Sequence, residues 1–264
     1  MRRGKPWSST VWFPKVLLDL HVASNSTVTT PRPEGADHAQ DSRCSIFRAY
    51  PKSYSRSDRK GIPYELVPVV PLTPPAGWTD LSPLGLIPAV QDGEYGLADS
   101  SVICLYLERT HPNRAIYPAD PKQYARALWI EEFVDGGLAS HVLRGLLMQR
   151  VFAPKFLNKA PDEELIHKSL TEMIPPRLAY LDKSFAGEYF AGNAFSIADI
   201  AVASILINYH YAGERIDAAQ YPRLHRYLRK LLLRDCFKKA FETEIPAAES
   251  VGGLDMSLLR SLGY

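Results

Sequence analysis

The stretch from Leu84 to Ile103 limits what this chain can fold into more than any other. It runs Ile87-Pro88 into the apolar pair Ala89-Val90, then Asp92-Gly93, a short second strand, and Asp99-Ser100 ahead of Ile103, Tyr106 and Leu107 at helical spacing. An Asp-Gly pair between two short extended segments is a two-residue hairpin signal. An acid followed by a hydroxyl at a helix start satisfies the orphan amides there, and leaves a positively polarised N-terminus able to hold a small anion. Ile-Pro alone marks only a turn, and Asp-Ser alone only a plain N-cap; it is their combination that is informative.

That combination resembles the glutathione-binding half of the glutathione S-transferase family. In that family the proline is cis and the residue before it offers its backbone to the cysteinyl part of glutathione, the places that Ile87 and Pro88 take here. The acid-serine pair holds the γ-glutamyl end, so Asp99 and Ser100 inherit that role. The match is physically sensible, because a zwitterionic head needs a carboxylate for its ammonium and helix N-terminal donors for its carboxylate. The resemblance implies a thioredoxin-like α/β domain followed by an all-α domain. The Ser196-x-x-Asp199 capping element, ahead of the apolar run Ile197–Ile207, resembles the buried helix of the family's second domain and is assigned to folding.

A chain of 264 residues is long enough for two cores. The domains are expected at 44–110 (thioredoxin-like) and 122–245 (helical), with a linker at 111–121. Residues 1–43 are expected as an N-terminal extension, flexible over most of Ser24–Ser42, where Ser, Thr, Pro and Gly dominate. Residues 246–264 are expected as a C-terminal tail. Ser45–Tyr50 is the expected first strand and Glu65–Val70 the second, at an edge because Pro68 cannot donate a ladder bond. Lys122–Val151 supports one long helix bent at Gly136-Gly137, and Asp162–Phe185 a second that must kink or break at Pro175-Pro176. Two further helices are expected at Pro222–Arg234 and Asp235–Ile245.

A net charge of +2 gives no general argument for nucleic acid or an anionic membrane, and no window is apolar for the length of a membrane span. Cys44, Cys104 and Cys236 lie far apart with no metal-ligand spacing, so neither a disulfide framework nor a metal site is expected, and a reducing, cytoplasmic setting fits.

The family reaction is attack of the glutathione thiolate on an electrophile, which requires a donor that keeps the sulfur ionised. The resemblance places that donor at the start of the first helix, where Ser53 is the first candidate and Tyr54, Tyr50 and Ser55 are neighbours. Two departures from the pattern stand out. Only seven residues separate Ser53 from the expected helix stop at Gly61, leaving the helix short and without an apolar stripe. Leu86 stands where the family often has lysine, which lowers the expected glutathione affinity. Trp129, Phe133, His141, Arg144 and Tyr209 are the candidates for lining the electrophile pocket. The resemblance implies a homodimeric detoxifying transferase acting on glutathione and a small hydrophobic electrophile. A glutathione-dependent isomerase, peroxidase or dehalogenase, and a non-catalytic binding protein on the same fold, stand as alternatives.

Overall fold

The structure, a computed structural model, describes residues 9–12, 65–66, 75–85, 88–113 and 115–264. The expected hairpin forms, with its turn one residue later than Asp92-Gly93 suggests. Strand β3, Ala89–Asp92, pairs antiparallel with β4, Tyr95–Ala98, in a register that sets Asp92 opposite Tyr95, so Gly93-Glu94 make the turn. Gly93 holds φ +61°, which the mirror-image turns favoured in hairpins require. Asp92 therefore serves as the last strand residue.

The other side of β3 is covered by β1, Ser9–Trp12, again antiparallel, and β1 pairs in parallel with β2, Glu65–Leu66, giving the order β2-β1-β3-β4. This corrects the expected boundary at residue 43, because a strand of the sheet lies inside the segment read as an extension. Ser-Thr-Val-Trp suits an extended backbone. The expected strand Ser45–Tyr50 lies outside the described residues. The placement of β2 at the edge agrees with the reading of Pro68, itself outside them. Helix α1, Trp78–Leu81, precedes the hairpin, and α2, Ser100–Thr110, follows it. Ile103 and Leu107 of α2 are buried against Val90. Order and directions are those of the thioredoxin-like half of the expected fold.

From Pro121 the chain is helical. Asp120 caps the first turn of α3, Pro121–Glu132, by accepting from the amides of Lys122 and Gln123. The helical run continues to Phe156 through a π-helical turn at Phe133–Leu138, α4 (Ala139–Val142), a second π-helical segment at Leu143–Phe152, and α5 (Ala153–Phe156). The bend expected at Gly136-Gly137 thus appears as a π turn. Helix α6, Glu163–Lys168, leads through a third π-helical stretch, Ser169–Met173, into α7, Ile174–Lys183, so Pro175 and Pro176 sit where α-helical bonding restarts. Gly145 lets these two hairpin arms approach, since a Cβ there would fall 2.1 Å from Ser169 Oγ.

Helix α8, Ile197–Tyr211, is buried along its whole length and packs along α3. An apolar surface on every side of a helix is stable only in such a central position. α9, Pro222–Leu232, follows it, and then α10, Asp235–Val251, which runs through Pro246 instead of stopping at Ile245. α11, Ser257–Ser261, closes the chain. Residues 246–264 are therefore not a tail. Ala248, Val251, Met256, Leu258 and Leu259 are all buried in the main core, and that burial outweighs the one backbone bond a helical proline forfeits.

The linchpin of this half is Asp199. Its Oδ2 accepts from Ser196 N at 2.7 Å and Ser196 Oγ at 2.9 Å. Its Oδ1 accepts from Phe190 N at 3.2 Å and from the Tyr227 hydroxyl. Burial raises the carboxyl's pKa, while the hydrogen bonds from Tyr227, Ser196 and Phe190 pull it down. Replacing Asp199 with Ala strands these buried donors together. The expected loss is about 3 kcal/mol or more, read as a shift of the urea midpoint; Tyr227→Phe, which removes one bond, should cost about 1 kcal/mol.

Glu244 is equally buried. Its Oε1 accepts from the Tyr211 hydroxyl at 2.7 Å and its Oε2 has no partner among the described residues. Burial lifts its pKa from 4.5 to about 8. Between those two values the folded chain holds a proton that the unfolded chain releases, so stability falls as pH rises across that window. Urea unfolding at a series of pH values should show the decline in the native chain and a flatter profile in Glu244→Gln.

Candidate functional site

The most distinctive backbone on the described chain lies where β4 turns into α2. Asp99 holds φ +81° and ψ 128°, a conformation that side-chain-bearing residues rarely adopt and that persists only where the surroundings enforce it. Its amide donates to the carbonyl of buried Pro88 at 3.2 Å. Its Oδ1 accepts from the amides of Ser101 at 2.9 Å and Val102 at 3.0 Å. One residue thereby ties the strand entry at Pro88 to the first turn of the helix, and its Oδ2 has no hydrogen-bond partner among the described residues. The carboxylate is exposed and Ser100 beside it is half-buried. The resulting constellation is a carboxylate oxygen that no described residue engages, a hydroxyl and a polarised helix start, which together suit a head group carrying both an ammonium and a carboxylate.

The helix that carries this site is locked to the hairpin from its other end. The Tyr106 hydroxyl donates to Asp92 Oδ2 at 2.6 Å, and the Tyr106 and Tyr95 rings lie 5.5 Å apart. The hydrogen bond to Asp92, with burial behind it, pushes the Tyr106 phenol up to about 12. Towards the helical half, Ser101 Oγ donates to Asp135 Oδ2 at 3.4 Å, a contact between the start of α2 and the first π turn. Ser101 and Asp135 were not legible as site residues. The hydroxyl after Ser100 was a usable signal, whereas nothing in the sequence marks Asp135 as its partner.

The expected pocket residues differ in their exposure and contacts. Trp129 and Phe133 come together with Tyr180, which the sequence did not single out: the Trp129 indole N–H donates to the Tyr180 hydroxyl at 2.6 Å, and the Phe133 and Tyr180 rings are 4.4 Å apart. Trp129 and Tyr180 remain 53% and 39% exposed, an open aromatic face. His141 is half-buried, and burial with the nearby charges of Arg177 and Lys168 lowers its pKa. Arg144 is exposed. Tyr209 is buried in the core near Glu214, Arg150 and Tyr221, and burial raises its phenol. Ser53, Tyr54, Tyr50, Ser55, Leu86 and Ile87 lie outside the described residues. Among the described residues no His, Cys, Asp and Glu side chains gather as a metal site, and no helix is long and apolar enough to cross a membrane. Cys104 and Cys236 are buried thiols.

Comparison with known proteins decides the family. Residues 58–110 match the glutathione S-transferase N-terminal domain and residues 164–230 the glutathione S-transferase C-terminal domain. A glutathione S-transferase of Triticum aestivum is 30% identical over 204 residues, covering 71% of this chain and 83% of that protein. The chain belongs to the glutathione S-transferase family. It is also similar to the stringent starvation protein A homolog of Haemophilus ducreyi, at 27% identity over 195 residues, 71% of this chain and 82% of that one. A glutathione S-transferase crystal structure from Sinorhizobium meliloti shares the fold with a TM-score of 0.72 at 19% identity, covering 97% of this chain and 99% of that chain. The family N-terminal match spans the Asp99 site, and the C-terminal match spans the Asp199 knot.

The Tyr106–Asp92 bond fixes how α2 meets the hairpin. Tyr106→Phe should lower stability by about 0.5–1 kcal/mol, the modest end because the pair is partly solvated. The loss is measured by urea unfolding.

Proposed function

We propose that this family member is a glutathione transferase that binds glutathione at the start of α2 and conjugates its thiolate to a small hydrophobic electrophile. The observation that carries this reading is the enforced positive φ of Asp99, which holds the carboxylate at the helix entry beside the Pro88 carbonyl. In the proposed complex Asp99 Oδ2 takes the γ-glutamyl ammonium, and the Ser100 hydroxyl takes the α-carboxylate with help from the helix start. Ile87 and Pro88 hold the cysteinyl backbone, and Ser53 stabilises the thiolate. A donor hydrogen-bonded to sulfur favours the anion over the thiol, which is the nucleophile's active form. The aromatic face of Trp129, Phe133 and Tyr180 offers apolar surface for the electrophile. A homodimer in a reducing, cytoplasmic compartment completes the proposal.

A second reading, a glutathione-fold protein that binds without turnover, is favoured by Leu86 and by the short Ser53–Gly61 segment. The relative named as a stringent starvation protein A homolog, and not as a transferase, points the same way.

Retention on immobilised glutathione followed by an activated aryl chloride assay separates the two. Turnover supports the transferase, retention without turnover supports the binder, and no retention overturns both. Asp99→Asn keeps an oxygen for the helix cap but removes the charge. It should leave stability within about 0.5 kcal/mol while weakening glutathione binding about tenfold or more, the scale of one charge-assisted hydrogen bond. Ser53→Ala should lower kcat with little change in glutathione affinity.

A further inference from the structure

Far from α2 in the chain, the C-terminal segment closes a cavity of about 340 Å³ against the ends of α8 and α9. Its walls divide by chemistry. Ile216, Leu228 and Leu258 supply an apolar side, and His210, Arg215, His225, Arg229, Ser257 and Ser261 a polar one. The volume is in the range that accommodates a small organic molecule and is much larger than a single water needs.

The polar wall carries more donors than the chain itself uses. Arg215 is committed, with Nη2 2.5 Å from Asp255 Oδ2 and 2.6 Å from Ser257 Oγ. Burial alone would raise the Asp255 carboxyl, but its hydrogen bonds from Arg215 and Ser257 hold it at about 2, so the pair is charged and mutually satisfied. Arg229 is different. Its Nη1 donates to Ser261 Oγ at 3.2 Å, and it has no carboxylate partner among the described residues. The His225 ring also has no hydrogen-bond partner among them. His210 is 5% exposed, and its Nδ1, sealed from solvent, has no partner either. Burial, reinforced by the Arg215 charge, pushes this imidazole down to about 4, so it is neutral at ordinary pH.

An arginine that no carboxylate of the described residues binds, beside a half-buried imidazole and an apolar wall, is a ready receptor for a planar or tetrahedral oxyanion. We propose that this cavity binds a small organic oxyanion, a carboxylate or a phosphate monoester, whose charged group is held by Arg229 and His225 and whose apolar body lies on Ile216, Leu228 and Leu258. The site is separate from the one at Asp99 and does not depend on glutathione being a substrate.

The test is calorimetric titration of the full chain with phenyl phosphate, with benzoate, and with the neutral benzyl alcohol. At least one of the two anions should bind while the alcohol does not, and the stronger anion shows whether phosphate or carboxylate is preferred. Arg229→Gln and His225→Gln should each weaken that binding, Arg229→Gln by about tenfold to a hundredfold, with unfolding midpoints recorded to show that both variants fold. Asp99→Asn should leave anion binding unchanged. Binding of neither anion, equal binding of the alcohol, or binding that Asp99→Asn weakens and Arg229→Gln does not, overturns the proposal.

Discussion

One buried carboxylate holds the helical half of this molecule together. Asp199 receives hydrogen bonds from the residue that starts its own helix, from the backbone of Phe190, and from a tyrosine on α9, so three separate parts of the chain converge on two oxygen atoms. Such a group is expensive to bury and tolerable only when every lone pair is engaged. The aromatic rings around it reinforce the arrangement: Phe190, Phe185 and Tyr227 lie within 4.3–5.5 Å of one another, centre to centre. The helix it anchors then supplies the apolar surface on which the surrounding helices pack.

The thioredoxin-like half rests on a different device. There a single aspartate accepts a strained backbone so that strand, helix and the Pro88 carbonyl meet at one point. Regular secondary structure would avoid that geometry. Its survival next to a polarised helix start is why the functional reading centres on Asp99 and not on the larger aromatic face around Trp129.

Signals that are local in the chain were legible before any coordinates. Asp99 and Ser196-x-x-Asp199 announce helix starts because the capping residue lies within three positions of the amides it serves. Asp92-Gly93 announced the hairpin, though with its turn displaced by one residue, since register is chosen by strand pairing. What the sequence hid depends on distant partners. Ser9–Trp12 is a strand because Ala89–Asp92 and Glu65–Leu66 lie on either side of it, and its short run is no stronger locally than Ser45–Tyr50. Pro246 suggests a helix end, but the apolar residues beyond it find a core to enter. The contact between Ser101 and Asp135 crosses from one half of the fold to the other and leaves no periodic trace.

The π-helical turns along Pro121–Phe156 bear on every residue that follows them. Each such turn takes up more residues than an α-helical one, so the side chains beyond it are rotated in azimuth relative to those before. Trp129 precedes the first such turn, Phe133 opens it, and His141 and Arg144 follow it, so the count that would place all four on one α-helical face does not apply across it. The run from Pro121 to Phe156 thus behaves as three α-helical pieces spliced out of phase by two π-helical segments, which lets one continuous backbone address different sets of neighbours.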